Sequence, residues 1–280
     1  MLTARHTGSV PSPPDLVRSV VAASAQRTTS IVDALDEGGS RALTAPSSLP
    51  GWTRLTIACH LRYGAEALLR MTAAGLSGER VAYYPDGRVS QRPRTLEPAP
   101  GEEPLEVVES LRRLSVELDH VWENLGDRAW QHEIVEPEAN PDLGTVPVSG
   151  LPLVRLTEVE VHGTDLGLGL EDWSDLFVRT ALPNRLRRLG GRRTNHRDFD
   201  RSLQGTWLLV ATDGPTFSVS VRGDDVQSLP ARPATPATAV IEASSRDLLA
   251  LLVGRPFTGS PHIRGDVEFG RAFASAFPGP

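Results

Sequence analysis

Glu158 and His162 stand four residues apart in the segment LPLVRLTEVEVHGTDL, a spacing that puts both on one face of a helix. At about 100° per residue, Arg155 and Asp165 fall on the same side, among Leu151, Val154, Val159, Val161 and Leu166. Thr157, Glu160 and Thr164 take the opposite side, where solvent is expected. Charged groups on a core-facing stripe must be satisfied, because an isolated buried carboxylate is costly. A cation would satisfy them. A second segment, 53–74, places His60 alone on an apolar face with Ile57, Gly64, Leu68 and Met71, while Arg62, Glu66 and Arg70 lie opposite. Two imidazoles and one carboxylate with a position left open are the ligand pattern of a catalytic zinc. The same ligand types also accept nickel, iron or manganese. The competing reading is a pair of core histidines and a buried Arg155–Glu158 ion pair.

Cys59, next to His60, lies about 100° away on the helix and is expected on the polar side as a structural residue. A reaction that needs a thiol must then take it from a cofactor, which a metal would hold as thiolate. It is the single cysteine, so there is no disulfide framework and no cysteine metal cluster. All 29 basic residues are arginine, which excludes lysine Schiff-base chemistry and the P-loop lysine. The usage resembles that of a high-GC bacterial genome. A net charge of −6 argues against bulk attraction to nucleic acid or an anionic membrane. No window approaches a membrane span and the MLTARHTGSVPSPP leader lacks an apolar stretch, so a soluble cytoplasmic protein is expected, monomeric or homodimeric. His6, His120, His132, His196 and His262 have no partner at ligand spacing and are expected at the surface. Gly167 and Gly169 form no dinucleotide fingerprint, and Arg264-Gly265-Asp266 reads as a turn.

The elements that must carry these residues follow from periodicity. Helices are predicted over 15–36, 53–74, 105–125 and 151–166, with long loops over 76–104 and 126–149. Four amphipathic helices with long connections suggest a four-helix bundle whose sequence neighbours need not be spatial neighbours. From about 173 the character changes. An arginine-dense span, 179–201, leads into strands at TWLLVAT, TFSVSV and ATAVIEAS, helices at SRDLLALLVG and VEFGRAFASAF, and a proline-rich connecting loop at 230–236. The fold class is α+β, with a bundle over 1–172 and a small α+β domain over 173–280.

The stretches LPGWTRLTIACHLRYGAEALLRM, the YYP after the second helix, and RLTEVEVHGTDLGLG followed by DW resemble the mycothiol-dependent maleylpyruvate isomerase family. That resemblance implies a DinB-like metal-binding bundle and a sterol-carrier-like C-terminal domain. It also implies a divalent metal, zinc foremost, held by His60, Glu158 and His162, with mycothiol as thiol co-substrate. Asp165, and Arg155 beside it, would support the ligands; Arg255, in the Gly254-Arg255 step, would grip a substrate carboxylate, with Tyr84 helping to place substrate or thiol. The implied activity is transfer or exchange of the thiol on a small electrophile. The alternatives are cis–trans isomerisation of maleylpyruvate and a non-catalytic metal-binding protein. Where relatives continue from the YP pair into an R-x-x-E-I helix, this chain reads DGRVSQRPRTLEPAPG.

Overall fold

A computed structural model describes residues 14–139, 141–191 and 203–279, and the chain divides into two compact units, Met1–Trp173 and Ser174–Pro280. The leader, His6, His196 and the 192–201 part of the arginine-dense span lie outside the described residues.

The first unit runs α1 (Pro14–Leu43), α2 (Arg54–Ser77), α3 (Arg88–Thr95), α4 (Pro104–Glu123), β1 (Glu133–Val135), β2 (Thr145–Pro147) and α5 (Leu151–Asp165). The four long helices form a bundle. α1 passes beyond residue 36 because the glycine pair bends it rather than ending it: Gly39 sits at φ 61°, a conformation that costs glycine nothing. α2 starts where the Thr53 hydroxyl accepts from the Thr56 backbone N–H at 3.1 Å, and it stops at left-handed Gly78. α4 opens on Pro104, with Glu103 and Glu106 forming a reciprocal cap.

α1 and α2, consecutive in sequence, each pack on both α4 and α5 and only lightly on one another. This corrects one expectation. Thr157 and Glu160 do not face solvent; they are 8% and 2% exposed, and Glu160 Oε2 lies 3.4 Å from Arg27 Nε of α1. A helix flanked by two others has two buried faces, and polar groups on the second must be paired rather than hydrated.

Between α2, α4 and the β1–β2 hairpin lies a core that includes Leu68, Met71, Trp122, Trp130, Ile134 and Val148. Trp122 Nε1 donates to Thr72 Oγ1 at 3.0 Å, so this buried indole leaves no polar atom stranded. Gly75 of α2 permits close approach of the hairpin: a Cβ there would lie 2.8 Å from Ile134 Cγ1. The two predicted loops are thus partly structured, the first by α3 and the second by the antiparallel hairpin, whose register pairs Ile134 with Val146. Elements this short carry too few residues for a period to show.

The second unit contains α6 (Asp175–Arg187), β3 (Gly205–Ala211), β4 (Thr216–Arg222), β5 (Asp225–Ala231), β6 (Ala239–Ala243), α7 (Ser245–Val253), β7 (His262–Gly265), α8 (Val267–Arg271) and α9 (Phe273–Ala276). The sheet has five strands in the order β5-β4-β3-β6-β7, antiparallel except for the central β3–β6 pair. Three strands were legible; the two edges were not. β5 takes in Pro230 and Ala231 from the expected loop. The expected Arg264-Gly265-Asp266 turn is instead the end of β7, with Asp266 capping α8 through the Phe269 N–H. The arginine-dense span begins as α6, and the last expected helix is broken into α8 and α9. Trp207 stacks on Phe269 at 4.0 Å and donates to its carbonyl at 2.7 Å, anchoring α8 to the sheet. No helix among the described residues is long and apolar enough to cross a membrane.

Candidate metal centre

His60 comes from the second turn of α2; Glu158 and His162 come from successive turns of α5. Antiparallel packing of these helices brings one donor atom from each within 4.8 Å of the others. Glu158 Oε2 lies 2.8 Å from His60 Nε2 and 3.5 Å from His162 Nε2, and the imidazoles meet edge to face at 4.8 Å. His162 Nδ1 donates to Asp165 Oδ2 at 2.9 Å, which orients the ring with Nε2 turned toward Glu158. His60 Nδ1 is buried with no hydrogen-bond partner among the described residues. Buried polar atoms of a purely structural histidine are normally paired. Burial also holds the His60 pKa down, opposed by the Glu158 hydrogen bond, so the ring is kept in the neutral form that a metal binds. Two imidazoles, one of them backed by a carboxylate, and the Glu158 carboxylate fit a divalent cation in donor type and spacing.

The surroundings come from parts of the chain that sequence reasoning left aside. Trp52, just before α2, stacks on His162 at 5.8 Å and meets His60 edge-on at 5.7 Å, shielding both rings. Its only prior signal was the GWT motif. Tyr83 approaches from the loop after α2; a Cβ on Gly64 would lie 3.3 Å from its hydroxyl and 3.6 Å from Arg155 Nη1. Burial, reinforced by the Glu158 carboxylate, pushes the Tyr83 phenol well up and keeps it a proton donor. The Tyr83 backbone is pinned by Glu136, 4% exposed, whose Oε1 accepts its N–H at 2.7 Å. Glu136 Oε2 takes the N–H groups of Asp142, Leu143 and Gly144 at 2.7, 2.5 and 2.6 Å. One carboxylate therefore ties the tyrosine loop to the hairpin, and no helical or strand period announces it.

Arg155 is 1% exposed and donates to the Leu61 carbonyl at 2.7 Å and to Ser115 Oγ at 3.0 Å, joining α5 to α2 and α4 behind the histidines. Tyr84 is buried, stacked on Tyr63 at 5.2 Å with Arg88 5.6 Å above its ring. Cys59 is not on a polar surface as expected but fully buried, and desolvation, partly offset by Arg62, pushes its thiol up to about 11. Arg255 belongs to the second unit, follows left-handed Gly254 and donates to the Val253 carbonyl at 3.0 Å. His120, His132 and His262 are exposed.

Fold and site together define a helical bundle presenting a two-histidine, one-carboxylate donor set, followed in the chain by a small α+β unit. The family described as the mycothiol maleylpyruvate isomerase N-terminal domain matches residues 21–167, more than half of the chain, and the chain belongs to that family. The crystal structure of the mycothiol-dependent maleylpyruvate isomerase superposes with a TM-score of 0.63 at 19% identity, over 89% of this chain and 92% of that one. A histidine-to-alanine variant of that enzyme gives 0.62 at 19% identity, over 88% and 90%. YfiT from Bacillus subtilis, described as having an unusual four-helix bundle topology, gives 0.43 at 16% identity, over 59% and 91%. At these identities the likeness is one of fold. No curated protein matches the sequence.

Proposed function

We propose that this protein is a cytoplasmic, mycothiol-dependent metalloenzyme that transfers or exchanges the thiol at an electrophilic carbon of a small molecule. His60, Glu158 and His162 would hold a divalent metal, zinc foremost. When bound, the metal supplies a Lewis acid that keeps a thiol deprotonated at neutral pH. The observation that carries the reading is the size of the donor set: among the described residues it has three members, and the nearby Asp165 is engaged with the far nitrogen of His162. Structural zinc sites are closed by four protein ligands, whereas catalytic ones keep a position for water or substrate.

The chain's own groups have separable tasks in this reading. Asp165 accepts from His162 Nδ1 and orients the ring so that Nε2 faces Glu158. Trp52 keeps water from the faces of the imidazoles. Tyr83 offers a protonated phenol beside Glu158, and Tyr84 is assigned to placing the substrate. Cys59 supplies no nucleophile, since it is buried and protonated, and this supports a sulfur brought in from outside.

The test is metal analysis of the purified protein with calorimetric titration of mycothiol, for the wild type and His162→Ala, alongside turnover before and after chelation. Metal bound by the wild type and lost in the variant, with thiol-dependent turnover, is expected. Full activity in a thiol-free, metal-free preparation would end the proposal. Family membership favours a second reading, cis–trans isomerisation of maleylpyruvate, and a direct assay with that compound separates the two.

A further inference from the structure

α3 carries three arginines, and two are already paired. Arg88 Nη1 meets Asp142 Oδ1 at 2.7 Å, and Arg94 Nη2 meets Asp86 Oδ2 at 3.0 Å. Arg92 differs: among the described residues its guanidinium has no ion pair or hydrogen bond, and its Nε is buried without a partner. Its Cζ lies 5.6 Å from the centroid of the Trp52 ring, the same ring that covers His60 and His162.

A partly desolvated cation beside a second cation-binding set is unfavourable unless a counter-charge arrives. Stacking on Trp52 engages only the face of the guanidinium. Its in-plane N–H donors stay available, and their fork matches the two oxygens of a carboxylate. The neighbouring aspartates are not available for this, because Arg88 and Arg94 hold them.

We propose that Arg92, seated on Trp52 at the edge of the metal site, is a positioning residue that anchors the substrate by a carboxylate. The proposal rests on the metal and thiol reading of the site and adds to it a residue that holds the substrate.

The experiment uses succinate, a dicarboxylate with no carbon that can accept a thiol, as the probe. Zinc-loaded wild type, Arg92→Met, Arg92→Lys and Arg94→Met are each titrated calorimetrically with succinate and, separately, with mycothiol, after zinc content and circular dichroism are matched. Loss of a charge-assisted, two-point contact predicts succinate binding about 10- to 100-fold weaker in Arg92→Met. An intermediate loss is expected in Arg92→Lys, which keeps charge without the fork, and none in Arg94→Met. Mycothiol affinity should be the same in all four. Equal succinate affinity in wild type and Arg92→Met, an equal loss in Arg94→Met, or no succinate binding by the wild type overturns the anchor. Wild type that binds succinate through Arg92 but does not bind mycothiol would leave the anchor standing and sink the thiol reading instead.

Discussion

Replacing Asp165 tests whether the far side of His162 matters to the ion it would hold. The Asp165 carboxylate is 2% exposed and accepts from His162 Nδ1 at 2.9 Å. Asp165→Asn retains an oxygen that can accept this proton but removes the charge. Charge-assisted hydrogen bonds contribute roughly 1.5–3 kcal/mol against about 1 for neutral ones, so the variant should lose about 1 kcal/mol, or about fivefold in zinc affinity. Asp165→Ala removes the acceptor altogether, and losing such an outer partner typically costs 10- to 100-fold, about 1.4–2.7 kcal/mol. The helix end should survive either change, because Ser48 N–H and its hydroxyl bond to the Asp165 backbone carbonyl at 2.9 and 3.0 Å, not to its side chain. The assay is competition with a chromophoric chelator, repeated by thermal unfolding with and without zinc. At saturating metal, a loss of 1.4–2.7 kcal/mol should shrink the zinc-induced rise in Tm by roughly 3–11 °C, at about 2–4 °C per kcal/mol. Zinc affinity in Asp165→Ala equal to that of the wild type would refute the reasoning, since the orientation of His162 would then be set by something else.

Cys59, with its thiol pushed up to about 11, should be roughly one part in a thousand thiolate at pH 8, so alkylation of the folded protein should be slow and become fast only in denaturant. Rapid labelling of the native state would contradict its burial. Burial raises Asp119 from the usual 3.8 to about 6, partly offset by Arg155. The folded state then binds the proton more tightly than the unfolded one, so rising pH lowers stability between about 4 and 6. The full shift corresponds to about 3 kcal/mol, which solvent screening of this half-buried group reduces to about 1. The stability of wild type minus that of Asp119→Asn, by urea unfolding, should fall across that window and stay flat above it. Gly75→Ala pushes a methyl to 2.8 Å from Ile134 and 2.9 Å from Val148, and should destabilise by about 1–3 kcal/mol with no change in zinc affinity. An unchanged Tm would show that the hairpin can move away.

The sequence by itself determined the four bundle helices, because each is long enough for a 3.6-residue period to emerge, and it gave His60, Glu158 and His162 through their positions on apolar faces. It also set Cys59 about 100° around the helix from His60, off the face that carries the histidine. What it did not determine depended on which surfaces meet. The depth of Glu160 follows from α1 lying over the second face of α5. The roles of Trp52, Tyr83 and Glu136 follow from loops converging on the histidines, and contacts 20 to 53 residues apart in sequence, such as Tyr63 to Tyr83 and Tyr83 to Glu136, have no local period. The edge strands β5 and β7 and the short helix α3 have too few buried residues to register as patterns, and only pairing with a neighbour defines them. That Arg92 alone of the α3 arginines lacks a carboxylate among the described residues was decided by tertiary structure, since the aspartates near it in sequence and space are taken by its neighbours.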